Sequence, residues 1–163
     1  MPELLSPEYR KRLLGFIEDR FGIGPDAFES HLVFAFKRQA FLFRKQKEGL
    51  LEFPESSFVR CGLPFMRLVA GYLKPTTVFL QRFGLLASKN IIHLEMDQVR
   101  MLCTNGEISI ESLHAEESSL EAPGYVVIKT EGYVLGAGLL LEDSRLLCRF
   151  PKSMKQALAR ISS

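Results

Sequence analysis

Apolar positions at Leu13, Leu14, Ile17 and Phe21 recur at helical spacing between Ser6-Pro7-Glu8 and Gly22. Serine as a cap, proline in the first turn and glycine at the stop predict one amphipathic helix at the start of the chain. After Gly22-Ile23-Gly24-Pro25 the rhythm shortens. His31 to Phe36 and Ala40 to Phe43 are aromatic-rich runs separated by Lys37-Arg38-Gln39, which predicts a β-hairpin. Glu48-Gly49 and Phe53-Pro54-Glu55 supply turns. Two apolar runs from Phe58 to Leu73, broken at Leu63-Pro64, predict strands, with Pro64 at an edge or a bend because it has no N–H to give to a ladder. Lys74-Pro75-Thr76-Thr77 then opens a short helix, with Val78, Leu80, Phe83, Leu85 and Leu86 covering one side and Lys89-Asn90 beyond its end.

The second half has a different pattern. Ile91 to Leu94 predicts a strand, and Glu95 to Leu102 a short helix stopped by Thr104-Asn105-Gly106. Ile108-Ser109-Ile110 alternates, and GYVVIK from Gly124, GYVLGAGLLL from Gly132 and the return from Arg145 to Phe150 predict further strands, the last after a turn at Glu142-Asp143-Ser144. Short strands at regular spacing with only one small helix point to a compact β-barrel. The expected organisation is α+β: an α/β unit over residues 1–88 followed by a barrel over residues 89–163.

Composition changes this picture little. With 47% hydrophobic residues in 163, the chain can build real cores, and a net charge of +2 says nothing about partners by itself. No apolar run approaches the roughly 20 residues that cross a bilayer, and Met1-Pro2-Glu3-Leu4-Leu5 does not begin a leader, so a cytoplasmic protein is expected, nucleolar if eukaryotic, with no membrane partner. Cys61, Cys103 and Cys148 form no C-x-x-C pair and lie among apolar neighbours, which favours buried thiols over a disulfide frame or a zinc site.

The distribution of charge is more telling. From Ser56 to Leu94 there is no acidic residue, yet Arg60, Arg67, Lys74, Arg82 and Lys89 lie along that stretch. From Ser144 to Ser163 the same holds for Arg145, Arg149, Lys152, Lys155 and Arg160, while Glu107, Glu111, Glu116, Glu117 and Glu121 crowd the segment before. A carboxylate-free surface lets a polyanion release its counterions, so RNA is the natural candidate partner, with Lys74 and Arg82 as contacts in the first half. A solvated basic face is the plain alternative. Among the aromatics of that stretch, Phe65, Phe79 and Phe83 alternate with aliphatic residues and belong in a core; Tyr72 is the candidate for stacking on a base.

The run GYVVIKTEGYVLGAGLLLEDSRLLCRFPKS, Gly124 to Ser153, resembles the closing strands of a PUA domain, and IIHLEMDQVRMLCTNGEISI, Ile91 to Ile110, is similar to that family's opening strand, short helix and next strand. The first half, with its helix, aromatic hairpin and VRCGLPFMRLVAGYLKP segment, resembles the pre-PUA domain of the Nip-seven family of large-subunit ribosome assembly factors. GYVLGAGL followed by Phe150-Pro151-Lys152 is also similar to the RNA-binding C-terminal domain of Sun-type RNA cytosine methyltransferases. The resemblance implies a module that recognises structured rRNA or tRNA in ribosome biogenesis or RNA modification, with assembly factors or a modifying enzyme as partners. It gives Arg149, Lys152, Lys155 and Arg160 as phosphate contacts and Gly106 as a point where backbone meets RNA. Many PUA domains carry Pro-Gly after the helix; here the segment is Glu107-Ile108-Ser109-Ile110-Glu111.

Catalysis finds little support. His31, His93 and His114 lack metal-ligand spacing, and Gly132, Gly136 and Gly138 lie in a β-rich run instead of opening a helix, so no catalytic residue, metal or cofactor is expected. Two other functions stand beside RNA binding: a protein-interaction adaptor in an RNA-processing complex, and a transferase or hydrolase built on a Cys/His pair.

Overall fold

The computed structural model describes residues 2–45, 62–113 and 120–161. The turns expected at Glu48-Gly49 and Phe53-Pro54-Glu55, together with Arg60, Cys61, His114, Glu116 and Glu117, lie outside the described residues. The first sheet is formed by β1 (Glu3–Leu4), β2 (His31–Phe36), β3 (Gln39–Arg44), β4 (Leu63–Val69) and β5 (Tyr72–Pro75), antiparallel throughout and in chain order. The second has the order β6-β8-β9-β10-β7, from β6 (Ile91–His93), β7 (Glu107–Ser109), β8 (Gly124–Thr130), β9 (Tyr133–Leu140) and β10 (Arg145–Cys148), with only β6–β8 parallel. It curls into a half-barrel whose edges are β6 and β7 among the described residues.

Helix α1 (Pro7–Phe21) forms as its sequence predicts. Ser6 Oγ accepts from the Tyr9 amide, Pro7 occupies the first turn, and Gly22 closes the helix in the left-handed conformation at φ 67°. The hairpin also matches, with its turn at Lys37-Arg38 and Phe36 paired with Gln39. Pro64 lies in a central strand. Ala40 pairs with Met66 and Phe41 with Pro64, so Phe65 is the extra residue of a β-bulge beside the missing N–H.

Two features depart from the expected pattern. Helix α2 (Thr77–Phe83), capped by Thr76, buries Phe79, Leu80 and Phe83, while Val78, Leu85 and Leu86 are exposed. Apolar residues occur around much of this helix, and the aromatic pair of Phe79 and Phe83 sets the inward face by packing with Phe28 and Phe65. The half-barrel carries a second helix besides α3 (Met96–Asn105). This is α4 (Lys152–Ala159), in a basic stretch for which the sequence predicts no element; Met154 and Leu158, one turn apart, seat it on the second core.

The first core, built on Leu13, Ile17, Phe28, Phe65 and Phe79, also contains Val127 of β8 and Ala137 of β9, so both sheets contribute to it. Asn90 ties the same junction together. It is fully buried at φ 53°, its Nδ2 donates to the Arg20 carbonyl at 2.7 Å, and its Oδ1 accepts from the Glu121 amide at 2.7 Å. Asn90→Ala leaves two backbone groups unpaired and puts a Cβ-bearing residue without a compensating amide at positive φ. It should destabilise the protein by about 2–4 kcal/mol in chemical denaturation. Asn90→Gly should recover only part of this, because it relieves the backbone without replacing either hydrogen bond.

Candidate nucleic-acid interface

Helix α1 uses two faces. Leu13, Leu14, Ile17 and Phe21 enter the first core, while Lys11, Arg12, Gly15, Phe16 and Asp19 follow each other at three- and four-residue spacing along a second face. That second face forms one wall of a cleft of about 1270 Å³. Opposite it run β5, the edge strand of the first sheet, and the start of β8 with Gly124 and Tyr125.

At this cleft the two carboxylate-poor stretches of the chain meet. Arg67 and Lys74 face each other across the β4–β5 register. Arg149, from the second stretch, approaches the same lysine. Lys74 is held below the usual lysine range, first by burial and then by the positive charges of Arg149 and Arg67. Arg149 also reaches Tyr125, whose hydroxyl is pushed up by burial and drawn partly back by the guanidinium. Among the described residues none of Arg67, Lys74 and Arg149 makes an ion pair. Cations grouped in this way with no carboxylate paired to them repel one another, and an anion between them relieves that repulsion. Arg145, by contrast, is neutralised by Asp143 at 2.8 Å and Glu107 at 3.1 Å.

Arg20 is the deepest cation of the site. Its side chain is 11% exposed, Nε donates to the Tyr125 carbonyl, Glu121 lies at 4.0 Å, and Nη2 is buried with no hydrogen-bond partner among the described residues. Burial lowers its pKa and Glu121 opposes the shift. Tyr72, on β5, is 75% exposed at the mouth.

Comparisons with known proteins agree with this architecture. No family model matches the chain, and no curated protein matches it in sequence. A solved PUA-domain protein from Thermoplasma acidophilum superimposes over 97% of this chain and 99% of its own length, with a TM-score of 0.58 at 16% identity. The chain has a PUA-type fold. A hypothetical protein from the hyperthermophilic archaeon Pyrococcus horikoshii OT3 shares it, over 96% of this chain and 87% of its own, with a TM-score of 0.55 at 13% identity.

Within the PUA-type fold, the residues singled out by sequence are divided among several places. Lys74, Tyr72 and Arg149 line the cleft together. Arg82 lies elsewhere, with Arg10 and Arg44 around His31, whose pKa is lowered by burial and then by Arg44, Arg10 and Arg82. Lys152 and Arg160 are exposed at the two ends of α4. Lys155 is half-buried, and its charge reaches the Cys103 thiol. Gly106 closes α3 at φ 80°, its carbonyl accepts from the Cys148 amide, and open space lies where a Cβ would be. Cys103 and Cys148 are both buried free thiols. Burial and its neighbour Cys148 push Cys103 up to about 11, far from the range of a reactive thiolate. Among the described residues no group of histidine, cysteine or carboxylate side chains has the arrangement of a metal site.

Sequence reasoning missed Lys11, Arg12, Arg20 and Tyr125. The basic run Arg10-Lys11-Arg12 was available as a signal for the first two; Arg20 and Tyr125 are joined only by the fold, 105 residues apart.

Proposed function

We propose that this protein binds structured RNA through the cation group at the cleft and performs no chemistry of its own. The observation that carries the reading is the meeting of Arg67, Lys74 and Arg149 on a PUA-type fold with no carboxylate paired to them among the described residues. Phosphates supply the missing anions, and Tyr72 is exposed beside them for a base. Lys152 and Lys155 on α4, Arg160 at its end, Arg82 on α2 and the backbone at Gly106 are further contacts in this reading, outside the lining of the cleft.

The working division is a pre-PUA-like unit over residues 1–88 and a PUA-like unit over 89–163. Ribosome assembly, as in the Nip-seven family, and RNA modification, as with the Sun-type methyltransferases, are the roles we propose for it, on rRNA or tRNA in the cytoplasm or nucleolus. Titrating a fluorescent RNA hairpin with the full chain at several salt concentrations tests the reading. The association constant should fall linearly on a log–log plot, with a slope of about −3 or steeper if three or more phosphates are held. A flat plot removes RNA as the ligand.

A second reading, an adaptor for a protein partner, has one observation in its favour. Val78, Leu85 and Leu86 are 45%, 66% and 56% exposed at and just beyond α2, and apolar side chains grouped in this way suit a protein contact.

A further inference from the structure

Gly15 sits in the middle of a 15-residue helix, where glycine costs about 0.5–1 kcal/mol relative to alanine. Neither usual reason for such a glycine applies. Its φ is not positive, and a Cβ built on it meets nothing within 4 Å. What Gly15 does is leave a gap in the wall of the cleft, next to Phe16 and facing the strands that carry Leu73, Tyr125 and Leu139.

The cleft therefore joins an apolar, partly aromatic lining to a group of cations. Lys11, Arg12, Arg20, Lys74 and Arg149 line it against only Glu8 and Asp19, so its occupant is anionic overall. The occupant is also flat and apolar in part, since Phe16, Tyr125 and the bare backbone at Gly15 offer surfaces and not sockets. The volume exceeds the roughly 300–1,000 Å³ of ordinary small-molecule sites, which suits a stretch of polymer better than a free metabolite. Arg20 Nη2 is a buried donor with no partner among the described residues, so hydrogen-bonding capacity is left over beside the cleft.

We propose that the cleft receives an unpaired, unstacked nucleotide of the bound RNA, its base lying over Gly15 against Phe16 and Tyr125 and its phosphates held at Lys74 and Arg149. This rests on the RNA-binding reading and specifies its ligand as single-stranded at this point. Aromatic stacking gives such a site little preference for sequence, while a base locked in a duplex cannot enter.

The test uses the full chain with a ten-residue oligouridine carrying one central 5-iodouridine, and with a blunt RNA duplex of the same length. Irradiation should crosslink the oligouridine to peptides containing Phe16 or Tyr125, and the duplex should bind at least about tenfold more weakly than the single strand. Gly15→Phe fills the gap without removing a cation. It should weaken oligouridine binding about tenfold or more, while thermal unfolding reports whether the fold is intact. The crosslink map of the unmodified protein stands independently of that variant. Crosslinks confined to residues outside the cleft, with Gly15→Phe binding oligouridine as the wild type does, would overturn the nucleotide site and leave phosphate binding at the cations in place. A cleft that serves a partner's peptide strand along β5 gives that same result. If neither oligouridine nor a structured hairpin binds in a salt-dependent way, the base pocket and the RNA-binding reading fall together.

Discussion

Joint replacement of Arg67, Lys74 and Arg149 by alanine should weaken hairpin RNA binding by about 10²- to 10³-fold at low salt and make the salt slope shallower by about 2–3. The reasoning runs through counterions. Each phosphate neutralised by a protein cation releases bound salt, contributing roughly 0.9 to the slope on duplex RNA if it behaves like B-form DNA, and about 0.7 on a single strand. These three residues share one locus, with Arg67 opposite Lys74 and the charges of both arginines bearing on that lysine, so replacing either arginine also relieves repulsion on Lys74. The three single effects should therefore not add up to the triple effect, and Lys74→Ala, at the centre, should show the largest shortfall. Because all three lack ion-pair partners among the described residues, the triple variant should fold at least as stably as the wild type. A triple variant with the wild-type slope would move the interface away from the cleft.

Phe79→Ala should cost about 3–5 kcal/mol, read as a lower denaturation midpoint at unchanged m-value. Phe79 is fully buried, and its ring lies 4.7 Å from that of Phe65, 5.4 Å from Phe83 and 6.0 Å from Phe28. Truncation removes the side chain's transfer energy and leaves a void that three further rings must close, each already packed on another. Phe79→Leu keeps most of the volume and should cost less than half as much. An alanine variant destabilised by less than about 1 kcal/mol would mean that this cluster is not the centre of the first core.

The sequence made local features plain and distant ones obscure. Helix α1 is bounded by residues whose chemistry acts within one turn, Ser6 and Gly22, and the β2–β3 hairpin by a two-residue turn, so both follow from neighbours alone. The inward face of α2 was misread because Val78, Leu85 and Leu86 are as apolar as the residues that are buried; the ring cluster decides, and its members come from α2 itself, β4 and the turn after α1. Helix α4 was missed because its apolar face amounts to Met154 and Leu158 in an otherwise polar, basic run, and its stability comes from the core it covers. The PUA-type fold of the second half was legible from its glycine-rich strands. Gly138 shows why: a Cβ there would lie 2.6 Å from a Leu146 methyl and 2.9 Å from an Ile128 methyl, so the strand needs a bare backbone. For the candidate site, charge distribution gave Lys74 and Arg149 but not their meeting, which depends on one sheet's edge strand lying beside the other sheet.

The placement of Val127 and Ala137 in the first core bears on how the chain matures as it is made. Synthesis runs from the N-terminus, so the opening helix and hairpin emerge long before the two residues that finish their interior. Until β9 has been translated, the nascent first half carries an unfinished oily face, and a ribosome stalled before residue 137 would present it to chaperones.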